Sequence, residues 1–161
     1  MKLRSICRVA LPLAAALVVA TAGSALAAAP KFHSTSSSVT DSGALVVSFD
    51  ERGLGNTNVD YTLTADAEAT YACINRGGKN PSAANKRSFQ GQVTTGGSFE
   101  VKNGRVRASL VTGPLSPGDF TCPPGQRMVL ASVSYTNIVL TDTSNNVTTT
   151  APDVSRTFFT V

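Results

Sequence analysis

Tryptophan is missing from the 161 residues, histidine occurs once and cysteine three times. Each scarcity excludes something. With no Trp and aromatics at 6%, the chain lacks the broad exposed rings on which sugar-binding modules usually stack their ligands, although Tyr and Phe leave smaller platforms. A lone histidine, His33, argues against a catalytic zinc site, and any Ser-His-Asp or Cys-His chemistry would have to use it. It stands in a terminal segment, a poor place to hold a general base in register, and reads as an exposed surface residue. Helical periodicity is lacking too: beyond residue 27 no segment carries an apolar stripe at 3.6-residue spacing. No cofactor motif is present, since the glycines at Gly77-Gly78 lack the GxxxxGK[ST] order of a phosphate-binding loop.

What the chain does have begins with an export signal. Lys2, Arg4 and Arg8 give a positive start, residues 9–22 are apolar apart from Pro12 and Thr21, and Ala25-Leu26-Ala27 offers the small residues a signal peptidase reads. The apolar stretch is too short for a membrane span. Residues 1–27 are therefore expected to be a signal peptide, with a second cleavage option two residues later, and residues 28–161 a single secreted, extracellular domain without a transmembrane segment. Removal of the leader also removes three cations. Eleven Lys and Arg then face ten carboxylates, so the basic isoelectric point is partly a property of the leader, and nucleic acid is not expected as a partner.

Cys7 falls in the leader. Cys73 and Cys122 remain as a pair in an oxidising compartment and are expected to form one disulfide, closing a loop of 48 intervening residues. Neither a CxxC spacing nor neighbouring histidines suggest a redox or metal role.

Period-2 patterning dominates the mature chain. It is clearest from Val59 to Cys73, where Val59, Tyr61, Leu63, Ala65, Ala67, Ala69, Tyr71 and Cys73 fall on one face. Fifteen residues is long for one strand, so the pattern predicts either a bend near Ala65-Asp66-Ala67 serving two sheets or a long strand with a bulge. Further strands are expected at 33–40, 44–50, 87–95, 98–102, 105–112, 128–141, 147–150 and 154–161. Turns at Asp41-Ser42-Gly43, Gly96-Gly97 and Asn103-Gly104 would join them, the last with a type I′ signature. The sum is an all-β, immunoglobulin-like antiparallel β-sandwich of about nine strands with one disulfide. Tyr71-Ala72-Cys73 resembles the Tyr-x-Cys of immunoglobulin-type domains, whose core Trp is absent here. In the last strand one of the adjacent Phe158 and Phe159 should be core and the other exposed, and that edge is a candidate for self-association.

No catalytic or metal-binding residue is expected. Asp66 and Glu68, with Asp60 on the same strand face, are the best carboxylates for a hydrolase, but alternation alone puts acids on a wet face. Asn56, Asn58 and Asp60, and separately Asp142, Asn145 and Asn146, supply hard oxygens for calcium, in positions that turn chemistry explains equally. The most unusual segment is 75–87. Arg76, Gly77, Gly78, Lys79, Lys86 and Arg87 form a candidate binding loop for an anionic group on a cell-envelope polymer or an extracellular protein.

The run from Gly43 to Asn56, then Tyr71-Ala72-Cys73-Ile74-Asn75, then 81–86, resembles small secreted proteins found mainly in high-GC Gram-positive bacteria. The resemblance covers most of the mature chain and implies secretion and the disulfide. It carries over no activity and no site residue. The expected function is thus non-enzymatic: binding, adhesion or an envelope role through surface loops. The alternatives are a secreted inhibitor of a protease or other hydrolase, using the stiff Pro114–Gly125 loop, and then a carboxylate-based hydrolase.

Overall fold

The structure is a computed structural model describing residues 29–75, 77 and 85–160. The expected signal peptide falls outside them, as do Arg76, Gly78 and Lys79 of the expected binding loop. Among the described residues there are eight strands and no helix: β1 Lys31–Val39, β2 Leu45–Arg52, β3 Val59–Asn75, β4 Lys86–Phe99, β5 Arg105–Thr112, β6 Gln126–Asp142, β7 Val147–Thr150 and β8 Val154–Thr157. They form two antiparallel sheets packed face to face. One has three strands in the order β1-β2-β5; the other has five, β4-β3-β6-β7, with β8 also paired to β6.

Eight strands rather than nine result from one continuous β4 where two strands with a break at Gly96-Gly97 are expected. Those glycines lie inside the ladder, opposite Thr62 and Tyr61. They serve close approach instead of a turn: a Cβ on Gly96 would stand 3.0 Å from the Tyr61 carbonyl oxygen, and one on Gly97 3.1 Å from the Phe99 ring. Asn103-Gly104 does form the expected tight turn, with φ of 53° and 71°, closed by paired backbone bonds between Lys102 and Arg105. Because β4 and β5 belong to different sheets, this turn carries the chain across the sandwich.

The long β3 keeps to one sheet for all 17 residues, and the irregularity that accommodates it lies in its neighbour. Opposite Ala65, β6 contributes both Asn137 and Ile138, with Asn137 at φ 49°. This bulge switches the inward parity of β6 from Val133 and Tyr135 to Ile138 and Leu140. A second register shift leaves Ala131 unpaired between Thr70↔Ser132 and Tyr71↔Leu130.

Between the sheets, Leu45, Val47 and Phe49 of β2 pack against Val59 to Ala69 of β3 and the inward residues of β5 and β6. Phe32, Phe49, Tyr61 and Phe99 cluster at one end with ring centroids 4.6–6.2 Å apart. A smaller cluster of Ala72, Ile74, Val129 and Ala131 packs with Phe159. Ala72 and Ile74 have the opposite strand parity, so this cluster lies on the other face of the five-stranded sheet. The C-terminal phenylalanines therefore correct the core-or-exposed expectation. Strand β8 stops at Thr157, and both rings are half-buried, Phe158 against the main core and Phe159 against the smaller one. The Ala131 carbonyl accepts both of their amide N–H groups.

The far end of the sandwich is braced by Cys73–Cys122, whose Cα atoms are 5.5 Å apart. The loop 113–125 runs over the core at that end. Leu115 packs on the main cluster, its carbonyl accepts the Tyr71 hydroxyl at 2.7 Å, and Asp119 pairs with Arg87 at 2.9 Å.

Candidate functional site on the three-stranded sheet

Along β2, odd residues point inward and even residues outward. The outward row therefore reads Val46, Ser48, Asp50, Arg52, and register sets Ser36, Ser48 and Ser109 side by side, then Ser34, Asp50 and Arg107, then Lys31, Arg52 and Arg105. Three guanidiniums converge on one carboxylate. Arg105 grips Asp50 with two bonds, Nε to Oδ1 at 2.6 Å and Nη2 to Oδ2, while Arg52 Nη2 and Arg107 Nε lie 3.3 and 3.7 Å from the same Oδ2. The hydrogen bond from Arg105, helped by Arg52, holds the Asp50 carboxyl well below the usual carboxylate range against the opposing effect of burial. Asp50 is 7% exposed, yet the Arg52 and Arg107 side chains keep 48% and 69% of their surface in water. One negative charge thus organises Arg52, Arg105 and Arg107, with Lys31 in the adjoining row, and leaves a surplus of positive charge on this face.

Beside the arginines is a shallow concavity of about 430 Å³ lined by Ser34, Ser36, Ser48, Asp50, Arg107 and Ser109, among others. Ser48 and Ser109 bond to each other at 2.8 Å. Nothing in the sequence singled this group out. Arg105 and Arg107 are separated from Asp50 by more than fifty positions, and only the β2–β5 pairing between the two halves of the chain unites them. The available clue is the alternation Arg105-Val106-Arg107, a basic face on a strand with an apolar back.

The outer face of the five-stranded sheet differs in charge. Asp66 and Glu68, with Gln90, Gln92, Ser134 and Thr136, line an open concavity of about 420 Å³. Each carboxylate is held by an amide: Asn137 Nδ2 donates to Asp66 at 2.8 Å and Gln90 Nε2 to Glu68 at 3.2 Å. Asp60 does not line that concavity; its backbone ties to Thr143 and Ser144. Asn56 and Asn58 are exposed. Asp142 turns its carboxylate onto its own loop, accepting the N–H of Ser144 and Asn145 and the Asn145 side-chain amide at 2.7–2.9 Å. Among the described residues no group of three His, Cys, Asp or Glu could hold a metal ion.

Of the expected binding loop, Gly77, Lys86 and Arg87 are described and exposed. Arg87 is engaged within the fold, pairing with Asp119 and lying 5.0 Å from the Phe89 ring centre. The structure does not bring this loop and the three-stranded sheet's arginines into one described site. His33 is exposed at the position where the β1–β2 register shifts.

A buried polar group was also missed. Glu51 continues the inward row Leu45, Val47, Phe49 and is fully buried, as is Asp142. Neither Glu51 oxygen nor the Tyr61 hydroxyl has a well-aligned hydrogen-bond partner among the described residues. Burial, opposed by the Tyr61 phenol and reinforced by the Asp142 charge, pushes the Glu51 carboxyl up to about 7. Burial raises the Tyr61 phenol as well. Strand parity is the signal that finds Glu51: an inward row does not stop at the last apolar residue.

Comparison with protein-family models, curated proteins and solved structures returns no match for this chain, so the reading of the site stands on its geometry.

Proposed function

We propose that the protein is an exported, non-enzymatic binding domain acting in the extracellular or envelope space, and that its principal contact surface is the outer face of the three-stranded sheet. The observation that carries this reading is the convergence of Arg52, Arg105 and Arg107 on Asp50 beside an open row of serines. The buried carboxylate fixes Arg105 and Arg52 by hydrogen bonds and attracts Arg107 beside them, which lowers the ordering cost of an encounter. A finished internal salt bridge would need only one guanidinium. The cations of the 76–87 loop provide a second electrostatic contact in this reading, with Arg87 already committed to Asp119.

An immunoglobulin-like arrangement of the sandwich is part of the proposal. It draws support from Tyr71 two residues before the bridged Cys73 and from two packed antiparallel sheets. The inhibitor alternative is less favoured, because Leu115 of the 113–125 loop packs on the core and its carbonyl accepts Tyr71, whereas a reactive loop presents its central residues outward.

The test is recovery of the tagged protein from culture medium and envelope fractions, followed by pull-down with the purified wild type and with an Arg52→Gln, Arg107→Gln variant. Retention by the wild type at low salt that falls in the variant supports the reading. Equal retention of both removes this face from it.

A further inference from the structure

We infer that the ligand of the three-stranded sheet's outer face is an anionic, hydroxyl-rich polymer: a glycan chain whose acidic groups rest against Arg52 and Arg107 while its hydroxyls meet the serine row. This inference rests on the binding reading above and gives its site a chemical class.

Three features select that class. The first is charge. Asp50 offsets one of three guanidiniums, and Arg52 and Arg107, both against its Oδ2, keep 48% and 69% of their side-chain surface in water, so the face offers surplus positive charge to an oxyanion. The second is chemistry. Ser34 and Ser36 side chains make no hydrogen bond to the described residues and stand exposed beside Ser48 and Ser109; hydroxyls match hydroxyls, as donor and acceptor at once. The third is shape. An open concavity cannot enclose a small molecule, which ordinarily has most of its surface covered in its pocket. Repeated weak contacts along a polymer give avidity without enclosure.

A folded protein partner fits less well. Such interfaces are anchored by buried aromatic and aliphatic side chains, and the only large hydrophobic side chain exposed among the described residues is Val111, at the far edge of this face. The same lack disfavours a single nucleic-acid strand, whose bases stack on exposed rings, and it restricts a glycan on this face to charge and hydroxyl contacts, without the ring stacking by which neutral sugars are usually held.

The experiment titrates the purified full-length exported protein with dextran sulfate, with uncharged dextran of equal length, and with a DNA duplex, at two salt concentrations, following backbone amide resonances. Expected are shifts centred on Ser36, Ser48, Arg107 and Ser109 with dextran sulfate, none with dextran, weaker binding of DNA, and at least a tenfold affinity loss in the Arg52→Gln, Arg107→Gln variant. A Ser36→Ala, Ser109→Ala variant, which leaves the charge intact, should lose about threefold. The inference is overturned if the arginine variant, folded by circular dichroism, keeps wild-type affinity. It is equally overturned if DNA binds more tightly than dextran sulfate, or if the shifts map to the 76–87 loop and spare the serine row. Envelope retention that persists in the arginine variant overturns this site while leaving a binding function in place. Failure of the wild type to be retained on any extracellular material strikes the binding reading itself, and dextran sulfate shifts on the serine row would then still support the site.

Discussion

Tyr61 on β3 is the cross-strand partner of Asp142 on β6, and both side chains are sealed from solvent beside Glu51. Two carboxyls and a phenol thus share an apolar end of the sandwich, next to the Phe32, Phe49 and Phe99 rings. A charged Glu51 is costly there, so folding favours its neutral form.

A pH dependence of definite sign follows. Folding raises the Glu51 carboxyl from its ordinary value of 4.5 to about 7, so the native state binds more protons than the unfolded chain between those limits. The Glu51 contribution to stability is therefore full below about pH 4.5, falls as pH rises toward 7, and levels off above it. At about 1.4 kcal/mol per unit the loss is on the order of 3 kcal/mol. Urea unfolding at pH 4.5, 6 and 8 measures it. Glu51→Gln should flatten the slope and stabilise the protein at pH 8; an unchanged slope would show that another group is responsible.

Asp50 acts in a different window. Its carboxyl is depressed by Arg105 and Arg52, so its contribution is present above the ordinary carboxylate range and disappears only as pH falls below it. Asp50→Asn should lower Tm at pH 7 and weaken ligand binding less than the paired arginine change, because the guanidiniums remain but lose their fixed placement. Calorimetry beside the dextran sulfate titration separates the two effects.

Reduction of Cys73–Cys122 releases a link spanning 49 positions. The chain-entropy argument puts its worth at about 4 kcal/mol. Because the 113–125 loop packs on the core through Leu115, the double Cys73→Ala, Cys122→Ala variant should lose amide protection first at Phe120 and Gln126, whose N–H groups donate to the Pro117 and Pro123 carbonyls, read by hydrogen exchange. Uniform loss across the domain would contradict a local brace.

Gly104 and Gly113 make a matched pair. Gly104 sits at φ 71° with the Leu54 carbonyl oxygen 3.1 Å from where a Cβ would lie, whereas Gly113 has open space around it. Gly104→Ala should cost about 1–2 kcal/mol and Gly113→Ala nothing or a slight gain. Thermal unfolding of both variants checks the contrast.

How far the residues announced this architecture depended on range. Alternation through β3, the Asn103-Gly104 turn and the cysteine pairing are decided by near neighbours or by a single possible partner, and all three are found. Gly96-Gly97 misled because a glycine pair marks either a turn or a close approach, and only the Tyr61 backbone and the Phe99 ring reveal which. The bulge at Asn137 looked like a property of β3, since its cause lies in the parity of β6. The arginine cluster was the least legible, because strand pairing across sequence-distant segments creates it.

The seam between β1 and the C-terminal strands runs in one direction. Thr35 donates to the Thr150 carbonyl, Ser37 to that of Pro152, and Arg156 to that of Val39, so β1 ascends alongside residues 150–156. Lys31 consequently stands at the Glu51 end of the body and Phe159 at the disulfide end. Tension applied between those points would load the β1–β2 and β6–β8 ladders lengthwise, many bonds at once, where a peeling geometry would break them singly. A tether stretched between two anchored points gains mechanical endurance from that routing, whatever its thermodynamic stability.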